Sequence, residues 1–190
     1  MFMIPKISLK DLADNKKSTL NLLSDALSNH GFFVITDHKI PYTLFNEAYK
    51  YSEKFFNLDN LVKTKYSFRE HAGARGYTPF GKETALGETV PDLKEFWHHG
   101  PIVDKTFDKR ILKNIVVSEI DNFNNIFDKL FKEMNSLGLN LLSSISLTLD
   151  LPQDYFEQST KHGNSLLRLI HYPPSDNENM FRAREHADIN

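Results

Sequence analysis

A stripe of apolar side chains between residues 118 and 149 constrains the fold of this chain more than any other feature. Steps of three and four residues place its members on one face of a helix, and these members are Ile120, Phe123, Phe127, Leu130, Met134, Leu137, Leu141 and Ile145. The spacing predicts a long helix from about Ser118 to Leu149. Gly138 interrupts the stripe and the heptads are few, so we expect a core-facing helix rather than a coiled coil.

Shorter elements flank this helix. Apolar runs and period-two alternation predict four strands, at residues 4–9, 32–36, 94–97 and 165–172, and a further strand that begins at 180. The short apolar run at 32–36 is expected to be a buried strand. Capping residues and periodicity predict three more helices, from Ser18 to His30, from Pro41 to Phe55 or Phe56, and from Pro152 to Gln158. Gly31 is expected to end the first of these in the left-handed conformation. Residues 70–91 are rich in Gly and Pro and predict a long loop or irregular hairpin, a type of segment that is often functional.

The composition excludes several classes of protein. The chain of 190 residues contains no cysteine, which excludes disulfides, thiolate zinc sites, iron–sulfur clusters and cysteine nucleophiles. Its 23 Lys and Arg residues against 25 Asp and Glu residues give a net charge of −2, which argues against nucleic acid as a partner. No apolar run approaches the roughly 20 residues that span a bilayer, so we expect no membrane association and a cytoplasmic location.

Other catalytic motifs are missing or incomplete. The glycine-rich stretch from 73 to 87 lacks the spacing of a phosphate-binding P-loop, and no Gly-x-Ser-x-Gly nucleophile elbow is present. His98 and His99 lie beside Trp97 in a predicted strand. Adjacent strand residues face opposite ways, so at most one of the two imidazoles can point at a given ion.

His186 and Asp188 form the sharpest candidate metal-binding pair. Residues two apart in a strand share a face, so the imidazole and the carboxylate can converge on one ion. This donor set, without sulfur, is typical of non-haem Fe(II) oxygenases, in which two His and one carboxylate leave coordination positions open. Taken alone, a His-x-Asp pair is also compatible with a surface histidine that happens to lie near a carboxylate.

Seven blocks of sequence, in order, place this pair in a family context. The first six are residues 4–9, 26–41, 55–58, 63–66, 75–83 and 92–97. The seventh consists of Leu167–Pro174 followed by Glu185–Asp188. Because these blocks occur in this order, the chain resembles the N-terminal part of the 2-oxoglutarate and Fe(II)-dependent dioxygenases of the isopenicillin N synthase-like group. The resemblance covers nearly the whole chain.

The resemblance implies an α+β fold. Its core is a distorted double-stranded β-helix, a cupin-like jelly roll, wrapped by N-terminal helices. Residues 1–115 correspond to the N-terminal dioxygenase region, and residues 116–190 to the long helix and the first strands of the jelly roll. The two parts are expected to form one structural unit that is C-terminally truncated.

The resemblance also implies roles for individual residues. His186 and Asp188 match the first two Fe(II) ligands, and Tyr172 matches a tyrosine that contacts a cosubstrate or substrate carboxylate near the iron. Arg168 lies on the same strand face as Tyr172 and is a candidate partner for an anionic group of the substrate, with a salt bridge at the rim as the alternative. Arg75 and Tyr77, on the long loop, are further candidates for substrate binding.

The family's second iron-ligating His, and an Arg that binds the far carboxylate of 2-oxoglutarate, lie well beyond Asp188. We expect them from a C-terminal segment outside this chain.

The expected function is a non-haem Fe(II)- and 2-oxoglutarate-dependent oxygenase. With O₂ it would oxidise a small organic substrate and give succinate and CO₂. Two alternatives remain open. One is a non-catalytic remnant or binding module, and the other is an oxidase of the same family that does not use 2-oxoglutarate.

Overall fold

The computed structural model describes residues 3–83, 91–174 and 182. His186 and Asp188 therefore lie outside the described residues, as does nearly all of the strand predicted to begin at 180.

The chain divides into two compact units, and each unit combines two separate segments. The first unit consists of Met1–Tyr42 and Lys132–Gly163, and the second of Thr43–Phe131 and Asn164–Asn190. The sequence analysis divided the chain at residue 115 into two regions of the family, and that division does not refer to how the chain packs. It stays a prediction, as does the expectation of one structural unit.

The first unit contains a two-stranded parallel sheet. Strand β1, Lys6–Ser8, pairs with β2, Val34–Thr36, in the register Ile7 to Ile35. Both strands were predicted, but the run that contains β2 is not buried as a whole, since Phe32 is 69% exposed. Only alternate members of the run, such as Ile35, pack against the core, because successive side chains of a strand point to opposite faces.

Three of the helices belong to the first unit. Helix α1 is Leu9–Ala13, α2 is Lys17–Asp25 with a π-helical turn at Ala26–His30, and α6 is Glu157–Thr160. The left-handed stop at Gly31 is confirmed, with a φ of 72°. Helix α6 begins later than the segment from Pro152 that the sequence predicted.

The prediction that Ser18 caps α2 was wrong. The N-cap is Lys16, whose side chain makes no capping hydrogen bond, and Ser18 lies inside the helix. A tight turn between α1 and α2 determines where α2 begins, because the Lys16 amide donates to the Asp11 carbonyl at 3.1 Å. Side-chain capping preference cannot report such a backbone constraint.

A small apolar core holds the first unit together. Its fully buried members are Ile7, Leu12, Leu23 and Ala26. Leu141 and Ile145, from the later part of the long helix, pack against this core.

The second unit is built on a three-stranded antiparallel sheet in the order β3-β4-β5. The strands are Gly76–Thr78, Glu95–His99 and Leu167–His171. Tyr77 lies opposite Trp97, and Trp97 lies opposite Leu169. The predicted strands at 94–97 and 165–172 are thus confirmed, and β3 lies within the predicted irregular hairpin.

Helices pack against one face of this sheet. Helix α3, Tyr42–Phe56, follows Pro41 as predicted, and α4 is Asn60–Thr64. A 3₁₀ turn follows at Arg69–His71. The long helix α5 is Phe123–Thr148, and it starts after Asn122, whose φ of 64° breaks the helical path.

Aromatic rings form the centre of the second core. The Phe55 ring is completely buried, with its centroid 4.8 Å from Trp97, 5.4 Å from Phe123 and 5.8 Å from Tyr77. These edge-on and tilted arrangements are favourable for aromatic pairs and add to the burial of their large apolar area. The sheet and its helices are therefore joined by one aromatic cluster.

No helix in the described part of the chain is both long enough and apolar enough to cross a bilayer.

Two glycines allow a matched test of the packing around β3. An added Cβ at Gly76 would lie 2.4 Å from the Tyr66 carbonyl oxygen, and its φ of +82° is unfavourable for other residues. Gly76→Ala should lower the free energy of unfolding by about 2–4 kcal/mol through overpacking and backbone strain. Gly138→Ala, in α5 where an added Cβ meets nothing within 4 Å, should instead raise it by about 0.5–1 kcal/mol. Urea-induced unfolding measures both changes, and equal effects of the two substitutions would contradict the described geometry.

Candidate active site

The antiparallel sheet of the second unit presents two chemically different faces. Alternation directs Tyr77, Trp97 and Leu169 to the aromatic core. It directs Phe96, His98 and Arg168 to the opposite face. We call these the core face and the cleft face.

A cleft of about 610 Å³ borders the sheet in the second unit. Both loop residues that the sequence singled out, Arg75 and Tyr77, line it together with Phe96. Its charged lining residues are Arg69, Arg75, Lys82 and Glu83. Among the described lining residues, three cations against one carboxylate make this cleft electrostatically positive.

Arg168 is held on the cleft face by three contacts. Its Nε donates to Nε2 of His98 at 2.6 Å, and its guanidinium carbon lies 4.5 Å from the centroid of the Phe96 ring. Its Nη1 lies 3.5 Å from Oε1 of Glu83, and 39% of the side chain is exposed. The ion pair considered from the sequence is therefore present but long, and a role of Arg168 in substrate binding stays a prediction.

The partners of His98 determine where its proton lies. Nδ1 of His98 is hydrogen-bonded to the Gly73 carbonyl, which can only accept. Nε2 faces Nε of Arg168, which can only donate. His98 is therefore neutral, with its proton on Nδ1.

The pKa of His98 agrees with this neutral form. Burial lowers the pKa below its ordinary value, and the positive charges of Arg168 and Arg75 lower it further. The Gly73 carbonyl and Glu83 act in the opposite direction but do not reverse the shift.

Arg75 is almost completely buried, with 1% of its surface exposed. Its guanidinium donates to the Ala74 carbonyl at 2.6 Å and to Oδ1 of Asn164 at 2.8 Å. It lies so close to Gly100 that a Cβ there would be 2.2 Å from it. Burial lowers the pKa of Arg75, and within the described residues no carboxylate forms an ion pair with it.

A buried network crosses the core face and was not anticipated from the sequence. Oε2 of Glu95 accepts from Nζ of Lys63 at 2.8 Å and from the Tyr77 hydroxyl, and Oε1 accepts from Nδ1 of His171 at 2.7 Å. Lys63 also donates to the Phe56 carbonyl at 3.0 Å. The network therefore joins α4 to all three strands of the sheet.

The pKa values of two network members follow from this arrangement. Burial pushes the pKa of Glu95 up, but the hydrogen bonds from Lys63, Tyr77 and His171 outweigh it and leave the pKa below its ordinary value. Burial, followed by the hydrogen bond to Glu95, raises the pKa of Tyr77 well above its ordinary range. The Tyr77 hydroxyl is thus a protonated donor engaged by Glu95, and a contact of Tyr77 with substrate stays a prediction.

A charged residue beside two large aromatic residues of a strand was the available signal for this network. Glu95 stands directly before Phe96-Trp97, and acidic residues are rarely buried unless they are paired. That signal identifies a buried carboxylate, but it does not say that Lys63 and His171, distant in the sequence, are the partners.

Tyr172, the predicted cofactor-binding residue, directly follows β5 and is half-buried. Its carbonyl accepts from Nη1 of Arg182 at 3.3 Å. His186 and Asp188 are outside the described residues, so their convergence on one ion stays a prediction, as does the role of Tyr172.

The two adjacent histidines of β4 face opposite ways, as predicted. While His98 faces Arg168, Nε2 of the fully buried His99 lies 2.7 Å from Oδ1 of Asp128. Among the residues that the structure describes, no group of three or more His, Asp or Glu side chains is arranged to hold a metal ion.

Comparison with known proteins places this geometry in a family. Residues 4–117 match the family described as non-haem dioxygenase in morphine synthesis N-terminal, and this is more than half of the chain. The chain belongs to this non-haem dioxygenase family. The resemblance read from the sequence blocks is thereby confirmed.

Relatives of this dioxygenase family member include proteins named as a hydroxylase and as an oxidase. The proline hydroxylase buaE of Petromyces alliaceus is 30% identical over 95% of this chain and 59% of its own length. Gibberellin 20 oxidase 1 of Arabidopsis thaliana is 27% identical over 90% of this chain and 46% of its own length. The chain thus spans about half the length of the curated relatives it matches.

Solved structures share the fold. A 2OG-Fe(II) oxygenase family protein from Caulobacter crescentus superimposes with a TM-score of 0.86 at 33% identity, over 100% of this chain and 62% of that one. A full-length Neurospora crassa protein in complex with alpha-KG superimposes with a TM-score of 0.81 at 23% identity, over 97% of this chain and 61% of that one. The combination of helices and sheets expected from the sequence is therefore that of the 2OG-Fe(II) oxygenases.

The buried lysine of the network offers a direct test of its contribution. Lys63→Met keeps the length of the side chain but leaves the Glu95 carboxylate buried without its cation, which should lower the free energy of unfolding by about 3–5 kcal/mol. Lys16→Met removes an exposed ion pair with Asp11 and should leave the unfolding midpoint almost unchanged. Urea unfolding of both variants checks this, and similar midpoints for the two would show that the network contributes little.

The lowered pKa of Glu95 predicts a pH dependence of stability. Because the folded state favours the carboxylate, this contribution is present above the ordinary value of 4.5 and is lost as the pH falls through the lower folded value. Glu95→Gln should therefore be less stable than the wild type at pH 7, with a difference that shrinks in acid. Unfolding free energies of both proteins, measured from pH 7 to pH 3, test this prediction. A stability difference that grows in acid would contradict it.

Proposed function

We propose that the whole protein is a non-haem Fe(II)- and 2-oxoglutarate-dependent oxygenase. It oxidises a small organic substrate with O₂ and releases succinate and CO₂. The observation that carries the proposal is the family match over residues 4–117, supported by the Caulobacter crescentus oxygenase that covers the whole chain at 33% identity.

The donor chemistry of this chain fits the proposed metal. His186 and Asp188 would hold Fe(II) through an imidazole and a carboxylate, a set without sulfur that suits non-haem iron. The family pattern assigns the second His, and the Arg that binds 2-oxoglutarate, to positions beyond Asp188, so we propose that the whole protein contributes them. Bound iron with 2-oxoglutarate would supply the oxidising chemistry.

The remaining residues of the chain bind and orient in this proposal. Tyr172 contacts a carboxylate of the cosubstrate or substrate near the iron. Arg168 receives an anionic group of the substrate from the cleft face, where its guanidinium is partly exposed and oriented by His98. Arg75 and Tyr77 shape the cleft that both line.

We further propose that β5 is the first strand of a double-stranded β-helix, and that β3 and β4 of the N-terminal region extend its sheet. Their antiparallel pairing supports this, with one face covered by helices and the other lined by polar groups. A cytoplasmic location and the absence of a nucleic-acid partner stay predictions from the sequence.

Substitution of the proposed ligands tests the function. In the whole protein, His186→Ala and Asp188→Ala should each abolish succinate formation and weaken Fe(II) binding in an anaerobic titration by at least about 10-fold, because each removes one donor. His162→Gln, at an exposed histidine of the first unit, is the matched control and should leave both unchanged.

The same assay separates the alternatives. O₂ uptake that depends on 2-oxoglutarate is expected, whereas uptake without it would indicate the other type of oxidase in the family. Wild-type protein that neither binds Fe(II) nor forms succinate would leave only the non-catalytic binding module.

A further inference from the structure

The pair formed by His98 and Arg168 has a feature that the proposed function does not use. The Gly73 carbonyl can only accept a hydrogen bond, and Nε of Arg168 can only donate one. The His98 ring can therefore accept from the guanidinium only while the ring is neutral. We propose that His98 is a positioning residue, whose neutral ring holds Arg168 to receive the carboxylate of a small carboxylic acid substrate. This inference rests on the proposed function and names its substrate class.

Among the residues that the structure describes, the partners of Arg168 leave donors available for such a ligand. A guanidinium carries five N–H donors, and His98 uses the one on Nε. Glu83 competes weakly, because its Oε1 lies 3.5 Å from Nη1 of Arg168, longer than a normal hydrogen bond, while its Oε2 is paired with Lys94 at 2.6 Å. Stacking on Phe96 fixes the plane of the guanidinium and leaves its edge for a bidentate contact.

The charge of the neighbouring cleft favours an acid over a neutral or basic ligand. The lining carries Arg69, Arg75 and Lys82 against Glu83, and Arg75 has no carboxylate partner among the described residues. Lys94 does not add to this excess, since Asp92 lies 2.9 Å from its ammonium group. A carboxylate would thus enter a site that has surplus positive charge and the oriented guanidinium of Arg168.

Protonation of His98 would disrupt the arrangement. The added proton on Nε2 would face the Nε–H of Arg168, so two donors would oppose each other. Among the described residues, the charged groups that act on the ring are Arg168 and Arg75, which oppose protonation, and Glu83, which favours it. Carboxylate binding should therefore persist at neutral pH and weaken as the pH falls below the ordinary histidine value of 6.5.

Benzoate is a suitable probe, with benzamide as its uncharged counterpart. Binding is measured by NMR titration of the whole protein, without turnover and with ¹⁵N-labelled His and Arg side chains. We expect benzoate to bind at least about 10-fold more tightly than benzamide, because the charged hydrogen bonds are made only by the acid. Arg168→Gln should remove this preference, and Arg110→Gln, at an exposed arginine paired with Asp108, should retain it.

Two substitutions at His98 separate positioning from general packing. His98→Leu removes the acceptor and should weaken benzoate binding about 10-fold. His98→Gln retains an acceptor that does not titrate, so it should bind within about 3-fold of the wild type and lose the acid dependence. In the wild type, the ¹⁵N spectrum should show Nε2 of His98 unprotonated and Nδ1 protonated.

Several outcomes would overturn the inference. They are unchanged benzoate affinity in His98→Leu, a protonated Nε2 in the wild type at pH 7.5, and displacement of benzoate by 2-oxoglutarate, which would assign Arg168 to the cosubstrate. Failure of the proposed function has a different signature, namely intact benzoate binding in a protein that forms no succinate. Succinate formation together with acid-independent benzoate binding would contradict only the inference.

Discussion

The buried carboxylate of Glu95 is the interaction on which the second unit depends most. Removing a carboxylate from water costs several kcal/mol, and the cost is recovered only when its oxygens are fully paired. Lys63, Tyr77 and His171 supply that pairing from α4, β3 and β5, while Glu95 itself lies on β4. One side chain thus links four elements, and its satisfaction requires each of them to be in place.

On the core face of the sheet, Glu95 is hydrogen-bonded to Lys63, Tyr77 and His171, and aromatic rings pack beside this network. The cleft face is different, because Arg168 is partly exposed, its hydrogen-bond partner His98 is neutral, and its ion pair with Glu83 is long. A family places a chain in a reaction class, but its members differ in substrate, so the site itself must indicate the substrate. Here a positive cleft accompanies an arginine oriented by a neutral histidine, and the proposed carboxylic acid substrate rests on these two features.

The sequence alone determined the family and the longer elements, but it did not predict the short helices α1 and α4. The apolar stripe of α5, the helix after Pro41, the glycine stop at Gly31 and the alternation in β5 are local patterns, and local patterns specify local structure. The ordered blocks of residues were sufficient to identify the family, because they combine many such local patterns. The failures, at the start of α2 and in the burial of residues 32–36, arose where a backbone turn or a strand face overrode the local preference.

Only the tertiary structure decided which distant side chains meet. Lys63 is separated from Glu95 by 32 residues, and Arg168 from His98 by 70, and no spacing rule connects them. The partners are chosen by strand register, which brings β5 beside β4 with Arg168 opposite His98. Protonation follows from those contacts, because a histidine takes its tautomer from its hydrogen-bond partners and not from its neighbours in the chain.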